Sequence, residues 1–166
     1  LSDARDAYLT LRGEWMVGQQ LERLEHIDRF GANLAGNIRD GLSQDVRAIA
    51  GAEQIRTQVW RTVRECLSRY DVLLTPTAPV LPFPVEQNYP EVIDGARLEN
   101  YIDWIAQAFL ITLTGFPAGS TPAGLSASGL PVGLQIIGPR LGEPTILAVA
   151  KLLQKIRPVG WPPAAI

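Results

Sequence analysis

Apolar residues recur at three- and four-residue steps over much of the first seventy positions, a spacing that predicts helices. From about Ser2 to Gly31, Tyr8, Leu9, Leu11, Met16, Leu21, Leu24 and Ile27 are set among many charges. A break is expected near Gly13 or Gly18, because glycine inside a helix costs about 1 kcal/mol. Gly31 to Asp40 either extends this helix or forms a second short one ending at Gly41. Ser43 is a good N-cap for a long helix over 43–70. Its apolar stripe is Val46, Ile49, Ile55, Val59, Val63, Cys66 and Tyr70, with one wider gap around Ala52. Arg47, Arg61, Arg64 and Glu65 face elsewhere.

Beyond Tyr70 the pattern changes. Asp71 to Thr75 reads as a short buried strand. Pro76, Pro79, Pro82, Pro84 and Pro90 then predict an extended loop, with Phe83 and Tyr89 pinned down. Helical spacing returns from Leu98 to Leu113, carrying Tyr101, Ile102, Trp104, Ile105, Phe109 and Leu110. Gly115 to Gly138 holds two Gly/Pro-punctuated strand candidates around a turn at Ser126–Gly129. Pro131 cannot donate to a ladder, so it starts the second strand. Gly133 leaves a bare spot where another backbone can come close. Pro144 at a helix N1 position opens the last helix, Pro158 ends it, and Ile146, Val149, Ala150, Leu153 and Ile156 form its buried face. This order of helices and strands suits an α/β layer fold.

Composition narrows the function classes. The 166 residues are 46% hydrophobic and 19% charged, ordinary for a globular domain. The net charge of −2 gives no basic field for nucleic acid or an anionic membrane. No apolar run approaches the roughly 20 residues of a membrane span. A single cysteine, Cys66, rules out an internal disulfide and fits a reducing, cytoplasmic setting. Leu1 as first residue suggests a cut chain.

Three segments carry a family resemblance. Tyr70-Asp-Val-Leu-Leu-Thr-Pro-Thr77 is similar to the aspartate, apolar strand and Pro-Thr loop of the amidase signature family. Gly115-Phe-Pro-Ala-Gly-Ser-Thr-Pro-Ala-Gly124 resembles its Gly-x-Pro-Ala-x-Ser-x-Pro-x-Gly segment. Gly129-Leu-Pro-Val-Gly-Leu-Gln135 matches almost letter for letter, and Glu143 falls where a family acidic residue precedes the last helix. One departure is Thr112, where the family often has Asn. The resemblance runs from about Ala48 to the end, and the first forty residues fit loosely.

The resemblance implies a large mixed β-sheet layered with helices, of which this chain is the C-terminal part. On that reading residues 1–41 are a helical lead-in, 43–70 a long helix and 71–158 the sheet-completing segment of one domain. It also implies a Ser/Ser/Lys triad, whose segments lie upstream in the family and have no counterpart here. No residue of the chain is assigned a catalytic role. The residues agree: a serine hydrolase needs a base beside its nucleophile. The one histidine, His26, lies in a charged helical stretch, and Lys151 and Lys155 lie off the apolar stripe of the last helix. There is no Gly-x-Ser-x-Gly elbow, no phosphate loop and no metal-ligand cluster, so neither a metal nor a cofactor is expected.

Ser120 is expected as a small residue in a tight strand rather than a nucleophile. Gln135 is expected to hydrogen-bond a neighbouring loop, and Cys66 to pack. Arg56 resembles a family arginine, with a structural ion pair as its plainer role. Tyr101, Trp104, Ile105 and Phe109 share one helix side, and core packing is the plainer reading. The functional reading makes Tyr101, Trp104 and Ile105 the candidate substrate contacts, because this region resembles the substrate-facing part of the family.

The parent protein is therefore expected to be an amidase, cleaving a small carboxamide by acyl-enzyme chemistry, with this chain alone catalytically silent. The alternatives are the amidase-like subunit of a tRNA-dependent amidotransferase, working with companion subunits, and a non-enzymatic remnant. No nucleic acid or membrane is expected as a partner. A sheet cut from its parent would leave an open edge and self-associate.

Overall fold

The computed structural model describes residues 3–160. It is a mixed α/β structure with a small antiparallel sheet, and it divides into two compact units, Leu1–Arg61 and Thr62–Ile166.

The first unit is helical. Helix α1 covers Ala4–Gln19, a 3₁₀ segment covers Leu21–Arg29, and α2 covers Ala32–Ser43. Gly13 does not break α1, which ends at Gln19, next to Gly18, the second of the two expected positions. Gly13 is instead buried against Gly41 of α2: a Cβ at Gly13 would lie 2.9 Å from the Gly41 Cα. The glycines thus let two helix backbones touch, a close approach that offsets their poor helix propensity. The helix breaks beyond Gly18, where the chain tightens into the 3₁₀ segment.

Helix α3, Val46–Leu67, begins later than expected. Ser43 does not cap it. Ser43 is the last residue of α2, and its hydroxyl donates to the Asp40 carbonyl at 2.7 Å. Asp45 supplies the cap, its carboxylate accepting the Ala48 N–H at 2.7 Å. The wider gap in the stripe is filled by Ala52, which is buried, as are Val59, Val63 and Leu67. Val46 and Tyr70, the predicted ends of the stripe, are exposed because each lies beyond the helix or at its first turn.

The second unit is built on a three-stranded antiparallel sheet in the order β1-β5-β4, with β1 Leu73–Pro76, β4 Ala118–Leu125 and β5 Pro131–Ile137. Strands β4 and β5 form the expected hairpin. Its turn is closed by the Gly129 N–H on the Ser126 carbonyl at 2.9 Å, with Gly129 at φ 78°. Pro131 opens β5 as expected.

Register divides the sheet into two faces. On one, Leu73, Ile137 and Ala118 align, and Ile137 packs with Val63, Leu67, Ile111 and Phe116 in the core. Ile111 belongs to α4, Ala106–Thr114, which ends at Gly115 in the left-handed conformation. On the other face Leu74, Ile136 and Gly119 align, and α5, Glu143–Ile156, lies across it. Ile146 is the wedge: a Cβ at Gly119 or Gly138 would fall 2.9 Å from its side chain. Ile146 is buried and Val149, Ala150 and Leu153 are half-buried, but Ile156 is exposed at the helix end. Pro144 is the second residue of α5 rather than the first, after Glu143.

The proline-rich loop contains an element the spacing did not predict. β2, Val92–Ile93, pairs with β3, Ala96–Arg97, across an Asp94-Gly95 turn with φ 49° and 76°. Both positive φ values belong to the two-residue hairpin turn that Asp-Gly favours.

The Gly13/Gly41 contact gives a contrast in sign. Gly13→Ala forces the helices apart and is expected to destabilise by about 1–3 kcal/mol. Gly18→Ala meets nothing within 4 Å and should stabilise by up to about 1 kcal/mol. Urea midpoints of the two variants check this; a stabilised Gly13→Ala would contradict the close crossing.

Candidate functional site

The face that carries Ile137 in the core becomes polar two residues along. Thr75, Gln135 and Ser120 align there across the three strands. Gln135 is buried, and its side-chain amide donates to the Thr75 hydroxyl at 3.2 Å and to the Gln107 carbonyl at 3.4 Å. It thereby ties β5 to β1 and α4, a strand and a helix rather than the neighbouring loop expected, and a buried amide needs such partners.

One step further on the same face, β5 has Gly133. Thr77, just beyond β1, and Ser120, on β4, meet over it with their hydroxyl oxygens 2.8 Å apart. A Cβ at Gly133 would lie 2.8 Å from Thr77 Oγ1 and 3.2 Å from Ser120 Oγ. The bare spot is therefore filled by two side chains, not by the backbone that the sequence suggested. The Thr77 N–H also donates to the Gly133 carbonyl at 3.0 Å, which fastens the start of the proline loop to the sheet.

These hydroxyls lie on a cleft of about 470 Å³. Its other walls are the loop residues Ala78 and Val80 to Phe83, together with Trp104, Thr121, Pro122, Pro131 and Val132. None of the lining side chains is titratable. Phe83 meets Trp104 edge to face, with ring centroids 5.3 Å apart and planes at 83°, a favoured aromatic geometry. The loop is thus anchored through Phe83, while Tyr89 is half-buried and its carbonyl accepts from the Gln87 side chain.

Of the three candidate substrate contacts, Trp104 lines the cleft. Tyr101 and Ile105 are half-buried and do not line it. The shared helical side does not form, because α4 starts only at Ala106. The Asp103 carboxylate accepts the N–H groups of Glu99 and Asn100 at 3.1 and 2.9 Å. The Asn100 side chain accepts the Ile102 N–H at 3.1 Å. These bonds fold residues 99–102 into a bend and a turn, followed by a 3₁₀ turn over Asp103–Ile105.

The remaining chemistry-bearing residues are dispersed. His26 pairs with Glu25 at 3.5 Å on the 3₁₀ segment, and Lys151 and Lys155 are exposed on α5. Arg56 pairs with Glu53 at 3.1 Å on the surface of α3, and Cys66 is half-buried. Thr112, at the departure from the family pattern, donates to the Ala108 carbonyl at 3.1 Å. Among the described residues no group of acidic, histidine or cysteine side chains is placed to hold a metal. Thr77 is the site residue that the sequence reading passed over. It stood in the quoted Thr-Pro-Thr loop, but its partner is 43 residues away, beyond any local pattern.

The profile of the Amidase family matches residues 23–147. The chain belongs to the amidase signature family. It is 33% identical over 111 residues to an acylamidase of Rhodococcus erythropolis, covering 66% of this chain and 23% of that protein. A similar match, 33% over 106 residues, is to a glutamyl-tRNA(Gln) amidotransferase subunit of Clostridium acetobutylicum, covering 64% and 21%. Among solved structures, a bacterial aryl acylamidase of the family superposes with a TM-score of 0.80 at 25% identity. That superposition covers 95% of this chain and 34% of the acylamidase. The chain thus spans about a fifth to a quarter of the length of the curated relatives it matches. No helix among the described residues is long and apolar enough to cross a membrane.

Phe83 and Trp104 should be energetically coupled. A double-mutant cycle of Phe83→Ala and Trp104→Ala, read by denaturation, is expected to give about 0.5–1.5 kcal/mol of coupling. Additive losses would mean that the loop is not held by this ring pair.

Proposed function

We propose that the protein functions as an amidase, with residues 1–166 completing the sheet and supplying one wall of the pocket for a small carboxamide. In the reaction a serine oxygen outside these residues attacks the amide carbon. The C–N bond breaks, ammonia or an amine leaves, and water then cleaves the acyl ester to a carboxylate. The observation that carries this reading is a neutral cleft, floored by hydroxyls and walled by aromatic rings, in a chain of the amidase signature family. Relatives named for acylamidase and aryl acylamidase activity support it.

A second reading is favoured by the relatives named as glutamyl-tRNA(Gln) amidotransferase subunits. There the protein would release ammonia to a partner and depend on companion subunits. Glutaminase activity that appears only with such subunits present would select it. A protein with neither activity would be the non-enzymatic remnant.

The chain's own chemistry supports silence of residues 1–166 alone. The Ser120 hydroxyl has Thr77 for a partner rather than a base, and both lysines are exposed. No amide hydrolysis and no fluorophosphonate labelling of Ser120 are expected, whereas the longer enzyme should turn over and be labelled at a serine outside these residues. Stoichiometric labelling of Ser120, with turnover lost in Ser120→Ala, would overturn the assignment.

The same reading proposes self-association. Strands β1 and β4 each have one neighbour in the described sheet, and Leu147, Leu152 and Ile156 of α5 are exposed. Light scattering at roughly tens of micromolar should detect species larger than the monomer. A clean monomer would count against an unfinished sheet.

A further inference from the structure

We propose that Thr77 and Ser120 form a recognition subsite for the neutral carboxamide of a ligand whose apolar body lies against Phe83 and Trp104. The subsite sets specificity for amide over acid. This rests on the amide reading above for the choice of ligand, and it adds which residues read the polar group and what they reject.

Two hydroxyls carry two donor hydrogens and several acceptor lone pairs. The 2.8 Å contact between Thr77 and Ser120 uses one hydrogen. The second has no partner among the described residues, and neither do the remaining lone pairs. Gln135 does not satisfy them: its amide nitrogen donates to Thr75 and Gln107, and no bond joins its side chain to either hydroxyl. The pair therefore presents one donor and at least one acceptor side by side.

A carboxamide is the complement of that pair: its carbonyl accepts the free hydrogen and its N–H donates to a lone pair. A carboxylate offers acceptors alone. It would also bring a charge to a cleft whose lining holds no cation to pair with it. The apolar part of the ligand is set by the neighbours. Phe83 and Trp104 form a fixed edge-to-face wall, with prolines and aliphatic side chains around it. Gly133 makes the arrangement possible, since a methyl group there would strike both hydroxyls.

The test uses residues 1–166 and reads binding, by NMR titration with phenylacetamide and, separately, phenylacetate up to roughly 10 mM. Phenylacetamide is expected to shift the Thr77 methyl, the Ser120 amide and the Trp104 indole signals. Phenylacetate should bind about ten-fold more weakly or worse. Thr77→Val keeps the shape and removes a hydroxyl, and Ser120→Ala removes the other. Each should weaken phenylacetamide about ten-fold, while Thr77→Ser should retain it. Far-ultraviolet circular dichroism separates weakened binding from misfolding, and a misfolded Ser120→Ala leaves Thr77→Val to decide. Equal affinity for amide and acid, shifts confined to other residues, no shifts at all, or unchanged binding in Thr77→Val would overturn the subsite. Binding of the expected kind without turnover by the longer enzyme would sink the amidase reading and leave the subsite standing. Turnover without these shifts would do the reverse.

Discussion

At Gly133 the central strand of the sheet gives up its side chain on a face that is elsewhere filled. Ile137 is wholly buried in the core on that face, and Gln135 is buried with its amide nitrogen tying β5 to β1 and α4. Two residues on, any side chain would occupy the space taken by Thr77 and Ser120. Its absence lets the loop after β1 fold down onto β5, brings two hydroxyls together, and leaves room above them. The apolar core, the polar row and the cleft floor are thus successive positions of one strand, two residues apart. The period of a strand puts them on one face, and the chemistry of each follows from how far along that face it lies.

The opposite face is fixed by a different small-residue device. Gly119 and Gly138 admit Ile146, so α5 sits close against the sheet. This helix adds a polar tie as well, with the Gln154 side chain donating to the Thr121 hydroxyl at 3.1 Å. The arrangement holds β4 and β5 from behind while leaving their cleft-facing side unencumbered. The sheet can then present Ser120 rigidly, which a site built on loops alone would do less well.

The hairpin was legible because its signals are local. Glycine and proline punctuate both strands, and their backbone consequences need no distant partner. The family itself was legible for the same reason, since the resembling segments are those that build the sheet. Readings failed where two local signals compete. Ser43 and Asp45 both precede the same apolar run, and the backbone chose Asp45. Leu98 to Leu113 has helical spacing, yet Asn100 and Asp103 capture backbone N–H groups and delay the helix to Ala106. The Asp94-Gly95 hairpin turn was visible as a dipeptide but was obscured by the surrounding prolines. Gly13 was read for its helix cost, while its use lies in a contact with Gly41 that no periodicity encodes. The Thr77–Ser120 pair belongs to this last class, because register across three strands creates it.

Gly133, on this account, fastens the proline loop to β5 and so sets the cleft floor. Amide hydrogen exchange at Thr77 tests that claim most directly, because its N–H donates to the Gly133 carbonyl at 3.0 Å. Thr77, though outside any strand, is predicted to exchange as slowly as the amides of β5. Exchange as fast as that of Val85 or Glu86, in the exposed part of the same loop, would contradict it.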